Sequence, residues 1–214
     1  MVFGGIILCG GRSTRMGLAK ATLPFGPEVM LERVARLLGE AVGPIVVVAA
    51  AGQEVACPPG ATLVRDRTAG AGPLEGLRAG LAALEGRADA AYATSCDAPL
   101  LALAFVRRMG ELLGDYEIAV PREDDFFHPL AAVYRTSVLP AIERLLEQRR
   151  LRPTFLFEEV RTRVVPVEEL RAVDGELGTL LNCNEPADYL AALAQASFTP
   201  DEKISAQLRR KTES

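Results

Sequence analysis

The sequence predicts an α/β fold in which a mostly parallel sheet is covered by helices on both faces. Two patterns carry that reading. Short apolar runs rich in Val, Ile and Ala recur along the 214 residues, bounded by Gly, Pro or polar residues, as buried strands are. Between them, apolar residues return at helical spacing. Strands alternating with amphipathic helices form parallel sheets whose ligands sit at the carboxyl ends of the strands.

The first strand is expected at 2–8, where the content is β-branched and apolar. Further strand candidates lie at 44–50, 61–64, 90–94, 117–120, 130–134, 163–167 and 180–183. Leu31, Val34, Leu37 and Leu38 form one helical stripe, and Leu74, Leu77, Leu81 and Leu84 a second. Phe105, Met109, Leu112 and Leu113 form a third, and Leu139, Ile142, Leu145 and Leu146 a fourth. Asn184-Glu185-Pro186 reads as a helix start, with Asn184 as cap and Pro186 in the first turn, leading into Tyr189, Leu190 and Leu193. These elements form a single domain over 1–196. Beyond it, 197–214 turns polar without a clear apolar stripe and is expected to be a flexible tail.

Composition supports one domain and excludes several functions. A chain that is 49% hydrophobic and 24% charged can bury roughly 70% of its unfolded surface and is expected to fold unaided. The net charge of −4 argues against a general binder of nucleic acid or anionic membranes, while leaving local cationic loops free to hold one phosphorylated ligand. No apolar stretch approaches the ~20 residues of a membrane span, and the first residues lack the basic start of a secretory signal, so a cytoplasmic location is expected. Cys9, Cys57, Cys96 and Cys183 are far apart and fit neither a zinc site nor a disulfide framework. Cys9, Cys96 and Cys183 stand beside the strongest motifs, either as small buried apolar residues or as thiols around one cleft.

The most informative stretch follows the first strand: Leu8-Cys9-Gly10-Gly11-Arg12-Ser13-Thr14-Arg15-Met16-Gly17-Leu18-Ala19-Lys20. Gly10 and Gly11 let backbone N–H groups approach phosphate oxygens, and Arg12, Arg15 and Lys20 add charge, with no acidic residue before Glu28. The spacing is that of neither a P-loop nor a dinucleotide-binding turn. The plainer alternative is a cationic surface loop.

This stretch resembles the signature of nucleotidyltransferases that open with Leu-Ala-Gly-Gly-x-x-x-Arg-Met-Gly and place a lysine shortly after, and within them the molybdenum cofactor guanylyltransferase family. Cys9 stands where alanine is usual and Ala19 where many members have Asp; neither removes a phosphate-binding group. The resemblance implies a three-layer, Rossmann-like nucleotidyltransferase fold, mostly parallel with one antiparallel strand. It also implies that Leu8, Cys9, Gly10, Gly11, Arg15 and Lys20 surround GTP.

Ala91-Tyr92-Ala93-Thr94-Ser95-Cys96-Asp97-Ala98-Pro99 delivers Asp97 to a strand end before a proline turn. Magnesium takes one or two carboxylates plus phosphates and water, which suits a single Asp opposite a phosphate loop. The family uses this Cys-Asp-x-Pro element for Mg²⁺. The alternative makes Asp97 the cap of a helix beginning near Leu100. Asp66 and the turn Gly70-Ala71-Gly72-Pro73-Leu74 resemble segments that line the guanosine in the family, though Asp66 taken alone reads equally as a turn former. Ala49 or Ala50 stands where some relatives have an asparagine near the base.

For the second substrate, the resemblance points to His128-Pro129 and to Asn182-Cys183-Asn184-Glu185-Pro186, with His128, Asn182 and Asn184 facing a pterin; side-chain amides both donate and accept, as a pterin edge requires. A lone histidine reads as well as a structural residue. Arg149, Arg150 and Arg152 either guide a phosphorylated substrate or solvate a helix end. The activity implied is GMP transfer from GTP to molybdopterin, assisted by Mg²⁺. The product would pass to a molybdoenzyme or a molybdenum-insertion protein. Cytidylyl transfer to molybdopterin, nucleotidyl transfer to a sugar phosphate, and a non-catalytic cofactor carrier are the competing readings.

Overall fold

The computed structural model describes residues 1–10, 18–68, 70–201, 204, 207 and 208. Strand β1 (Phe3–Leu8) is followed by a short hairpin of β2 (Pro24–Phe25) and β3 (Glu28–Val29), which leads into helix α1 (Met30–Ala41). Strands β4 (Ile45–Ala49) and β5 (Ala61–Arg65) precede α2 (Gly72–Leu84), and β6 (Ala90–Ser95) precedes α3 (Leu103–Leu113). Then come β7 (Ile118–Glu123), β8 (Phe126–Phe127), β9 (Ala132–Arg135), α4 (Leu139–Glu147), α5 (Thr154–Glu159), β10 (Thr162–Pro166) and α6 (Pro186–Gln195).

The main sheet has the order β10-β7-β9-β6-β1-β4-β5, with β8 attached to β7. β1 pairs in parallel with β4 and β6, and β10 with β7. β9 runs antiparallel to both β6 and β7, as the sequence led one to expect of one strand; the two-residue β8 is a second, minor antiparallel pairing.

Strand alternation sends successive side chains to opposite faces. Ile6, Leu8, Val46, Val48, Ala91 and Ala93 enter the core shared with α2 and α4, while Ile7, Cys9, Ile45, Val47, Ala90 and Tyr92 enter the core shared with α1 and α3. The layers close tightly at glycine. A Cβ on Gly80 would come within 2.6 Å of Ile6, and one on Gly76 within 3.0 Å of Leu8, so α2 rests directly on β1. That contact fixes where the start of α2 lies relative to the loop leaving β1.

Two expectations are corrected and one alternative is removed. The apolar run 180–183 is not a strand. A 3-10 turn, Gly178–Leu180, occupies its start, because Asp174 accepts hydrogen bonds from the N–H groups of Gly178 (3.1 Å) and Thr179 (2.9 Å) and commits the backbone locally. The cap of α6 is Glu185, not Asn184, and Asp188 accepts from the N–H of both residues at 2.8 and 3.0 Å. Asp97 caps no helix, since α3 starts at Leu103 behind Ala102. Helix α5 and strands β2, β3 and β8 escaped the sequence pattern because two to six residues show no period.

A third apolar cluster gathers Leu23, Phe25, Met30, Cys183, Tyr189, Leu193 and Leu208, with Leu18, Phe198 and Ile204 packed against it. Phe198 meets Phe25 edge to face at 5.7 Å, so the segment expected to be a polar tail begins with an anchored ring. Among the described residues no helix is long and apolar enough to cross a membrane.

Candidate active site

The parallel register aligns the carboxyl ends of β1, β4, β5 and β6 on one edge of the sheet. Beyond β1, the Cys9 N–H donates to Val48 O (2.8 Å), and beyond β6 the Cys96 N–H donates to Leu8 O (3.0 Å). Leu8 and Cys9 are buried there. Gly10 emerges beside Ala50 and Asp66: a Cβ on it would lie 3.6 Å from Ala50 Cβ and 3.6 Å from Asp66 Oδ2, ordinary contact distances. The protein therefore has room for a methyl at this point, and Gly10, Ala50 and Asp66 stand together at the carboxyl edge of the sheet. Gln53, which sequence reasoning missed, ties the two strand exits together, its amide NH₂ donating to Cys9 O (3.2 Å) and its oxygen accepting from the Ala50 N–H (3.1 Å).

Asp66 continues β5, its N–H donating to Ala49 O (3.0 Å). Among the described residues its Oδ1 is buried without a hydrogen-bond partner. Burial, and then the Glu75 carboxylate, push the Asp66 carboxyl above the usual range against the pull of Arg78. A turn-forming Asp accepts from the backbone of its own turn, and Asp66 Oδ1 accepts from no such N–H among the described residues. The following loop is held by a buried ion pair: Glu75 accepts from Arg78 Nε and Nη2 (both 2.8 Å) and from the Arg67 N–H (2.8 Å). Burial pushes Glu75 up, but these bonds outweigh it and hold the carboxyl below its ordinary value. Gly72, at φ +75°, then turns the chain into α2 ahead of Pro73.

Lys20 sits on a single 3-10 turn, Lys20–Thr22. Its Nζ donates to Asp97 Oδ2 (2.5 Å) and Asn184 Oδ1 (2.8 Å). The other carboxylate oxygen of Asp97 accepts from Ser95 Oγ at 2.5 Å, and Asn182 Oδ1 lies 3.3 Å from the same hydroxyl oxygen. The Cys183 N–H donates to Asp97 O (2.8 Å), and buried Cys183 anchors the chain between exposed Asn182 and Asn184. Lys20, Asp97, Asn182 and Asn184 thus form one centre. Sequence reasoning placed the two asparagines apart from Asp97; the fold brings them to it.

His128 is held by its N–H to Pro121 O (2.9 Å), and its ring stands edge-on to Phe126 at 5.0 Å. Nε2 is buried without a hydrogen-bond partner among the described residues, and burial lowers the imidazole pKa against the opposing pull of Glu123. Since Ala132 pairs with Ala93, the chain from His128 enters β9 at the carboxyl end of β6. Among the described residues no hydrogen bond joins His128 to Lys20 or Asp97. Gly11, Arg12 and Arg15 lie outside the described residues.

The thiols of Cys96 and Cys183 do not suit nucleophilic chemistry. A hydrogen bond with Cys9, followed by burial, holds the Cys96 thiol well above its ordinary range, and burial pushes Cys183 up to about 12. Arg150 is engaged in structure, bonded to Glu159 (2.6 Å) and stacked over Phe155 at 4.4 Å.

Residues 5–162 match the family model of the MobA-like NTP transferase domain. The chain is 36% identical over 196 residues to a probable molybdenum cofactor guanylyltransferase of Pelotomaculum thermopropionicum, spanning 90% of this chain and 92% of that protein. In fold it resembles the molybdopterin-guanine dinucleotide biosynthesis protein A of Archaeoglobus fulgidus, with a TM-score of 0.74, 24% identity, and coverage of 92% of this chain and 99% of that one. It also resembles a cytidylyltransferase of Leptospira borgpetersenii, with a TM-score of 0.68, 17% identity, and coverage of 100% and 96%. The fold is therefore common to enzymes named for different bases, whereas the sequence match is specific. The chain belongs to the MobA-like NTP transferase family and is a nucleotidyltransferase.

Proposed function

We propose that this enzyme transfers GMP from GTP to molybdopterin, releasing pyrophosphate and forming the guanine dinucleotide. The carrying observation is the meeting of Lys20, Asp97 and Asn184 at the carboxyl edge of the sheet, the edge where Gly10 leaves β1 and where Asp66 Oδ1 is buried without a partner among the described residues. The guanylyltransferase name of the sequence relative supports guanine.

In this reading the base and ribose lie along Gly10, Asp66 and the Gly72-Pro73 turn. Asp66 Oδ1 accepts a hydrogen bond from a ribose hydroxyl or a guanine N–H, which relieves its burial without a partner. The phosphates follow the glycine loop that begins at Gly10, with Lys20 supplying positive charge to them together with Arg15, which lies outside the described residues. A phosphate oxygen of molybdopterin attacks the α-phosphorus, the bond to the β-phosphate oxygen breaks, and that oxygen carries the electron pair away as pyrophosphate. No protein nucleophile is needed, because positioning and charge neutralisation carry most of such a transfer. The protonated thiols of Cys96 and Cys183 accord with this.

A divalent cation fits the centre. Asp97 Oδ2 and Asn184 Oδ1 already surround a positive charge, the Lys20 ammonium, with hard oxygen atoms. The oxygen donors around that ammonium are one carboxylate, Asp97, and the neutral amide oxygen of Asn184, a set that suits Mg²⁺ on a nucleotide. Asp97 would hold it, and when bound it supplies further neutralisation of phosphate charge. His128 and the exposed ring of Phe126 stand at the same edge and would face the acceptor.

The test is pyrophosphate release from GTP with Mg²⁺ and molybdopterin. Release that requires both substrates, with the guanine dinucleotide as product, supports the reading. Absence of release with molybdopterin, together with turnover of a sugar phosphate, contradicts it.

A further inference from the structure

We propose that Ser95 is a positioning residue that assigns different tasks to the two carboxylate oxygens of Asp97, with Asn182 orienting the serine hydroxyl. The inference rests on the reading of Asp97 as a divalent-cation ligand.

Ser95 ends β6, opposite Leu8 in the parallel register, and both Ser95 and Asp97 are only 8% exposed. A hydroxyl has one proton. Ser95 Oγ lies 2.5 Å from Asp97 Oδ1 and 3.3 Å from the Asn182 amide oxygen, and a hydroxyl bond to a charged oxygen is the shorter and stronger kind. The proton therefore goes to Asp97. The lone pairs of Oγ are left facing Asn182, and the amide satisfies them by turning its NH₂ inward, since either end of an amide fits that position. The result is a directed relay in which Asn182 donates to Ser95 and Ser95 donates to Asp97.

The relay holds Oδ1, leaving Oδ2 to face the cation position that the Lys20 ammonium shares. Without the hydroxyl, Oδ1 is left buried with no donor, and the carboxylate gains by rotating both oxygens toward Lys20. Lys20 then competes more strongly with a divalent cation for the same carboxylate. Asn182, which the sequence assigns to the acceptor, acts here through Ser95 on the cation ligand.

Mn²⁺ affinity of the protein with a non-hydrolysable GTP analogue, followed by electron paramagnetic resonance, tests this without turnover. Ser95→Ala is expected to weaken Mn²⁺ binding by about 10- to 100-fold, the usual effect of removing a group that orients a metal ligand. Ser95→Thr, which keeps the hydroxyl, is expected to retain most of the wild-type affinity. Asn182→Ala reaches the relay from an exposed position where folding is not at stake, and should weaken binding in the same direction. Unchanged affinity in Ser95→Ala or Asn182→Ala overturns the relay, as does a Ser95→Thr protein that melts normally yet binds as weakly as Ser95→Ala. Wild-type protein that binds no Mn²⁺ with the analogue overturns the cation reading itself, a result distinct from wild-type binding that Ser95→Ala leaves intact.

Discussion

Lys20 Nζ and Asp97 Oδ2 stand 2.5 Å apart across 77 residues of sequence. The pair joins the loop that leaves β1 to the turn that ends β6, and its side chains are 17% and 11% exposed. At that exposure the pair is largely spared the solvent screening that weakens surface ion pairs.

Lys20→Ala should lower the guanylyl-transfer rate by about 10²–10³, the loss typical of one transition-state charge donor. The fold should survive, because Lys20 lies on a single turn outside the sheet. Rapid-quench kinetics alongside circular dichroism check both statements. Wild-type turnover in a folded variant would remove Lys20 from the chemistry.

Gly10→Ala separates a structural glycine from a ligand-facing one. The added methyl meets Ala50 and Asp66 at 3.6 Å, which the protein tolerates, so the melting temperature is expected to stay near wild type. Under the proposed function Gly10 faces the nucleotide, so the same methyl should raise KM for GTP. A lowered melting temperature with unchanged KM would make Gly10 a packing residue.

Asp66→Asn should stabilise the protein at neutral pH while reducing its discrimination among nucleotides. Burial raises the folded-state pKa of Asp66, so the folded protein holds a proton that the unfolded chain releases at lower pH. Wild-type stability relative to Asp66→Asn therefore improves as pH falls through the raised value. The gap closes below the ordinary value of 3.8. Urea denaturation of both proteins across that range reads the difference; a wild type that gains nothing on acidification relative to the variant contradicts the assignment.

Glu75→Ala should destabilise the fold by about 3–5 kcal/mol, since it leaves the Arg78 charge buried and unpaired. At 4% and 7% side-chain exposure the pair has no solvent to fall back on. Glu75→Leu with Arg78→Leu should cost less than Glu75→Ala alone. Denaturant midpoints decide, and a double variant weaker than the single would show that the pair contributes more than an apolar replacement of similar size.

The strand positions were legible where apolar runs were bounded by Gly, Pro or polar residues, and β1, β4, β5, β6 and four of the amphipathic helices fall close to where the pattern puts them, while the order of the strands in the sheet was not legible. The stretch from Gly10 to Lys20 stood out because glycine and cations are locally dense there, and residues 11–17 of it lie outside the described residues. What local sequence does not carry is which distant groups meet. Asn184 lies 164 residues from Lys20 and Asn182 lies 87 from Ser95, so nothing near either asparagine announces the cation centre. The Glu75–Arg78 pair had a usable signal: opposite charges three apart inside an otherwise apolar helix stripe. The false strand at 180–183 shows the converse, since an apolar run becomes a strand only with a ladder partner, and here the N–H groups of Leu180, Leu181 and Cys183 donate to Leu177 O, Gly178 O and Asp97 O instead.

The central claim is guanine specificity, and competition kinetics test it most directly. GTP and CTP are supplied at equal concentration with Mg²⁺ and molybdopterin, and the dinucleotide products are resolved by mass spectrometry. Each buried polar group left unpaired by the wrong base costs about 1–3 kcal/mol, so two mismatches give roughly a 30- to 10⁴-fold preference for GTP. Equal use of the two nucleotides, or a preference for CTP, would contradict the account and make this chain a cytidylyltransferase.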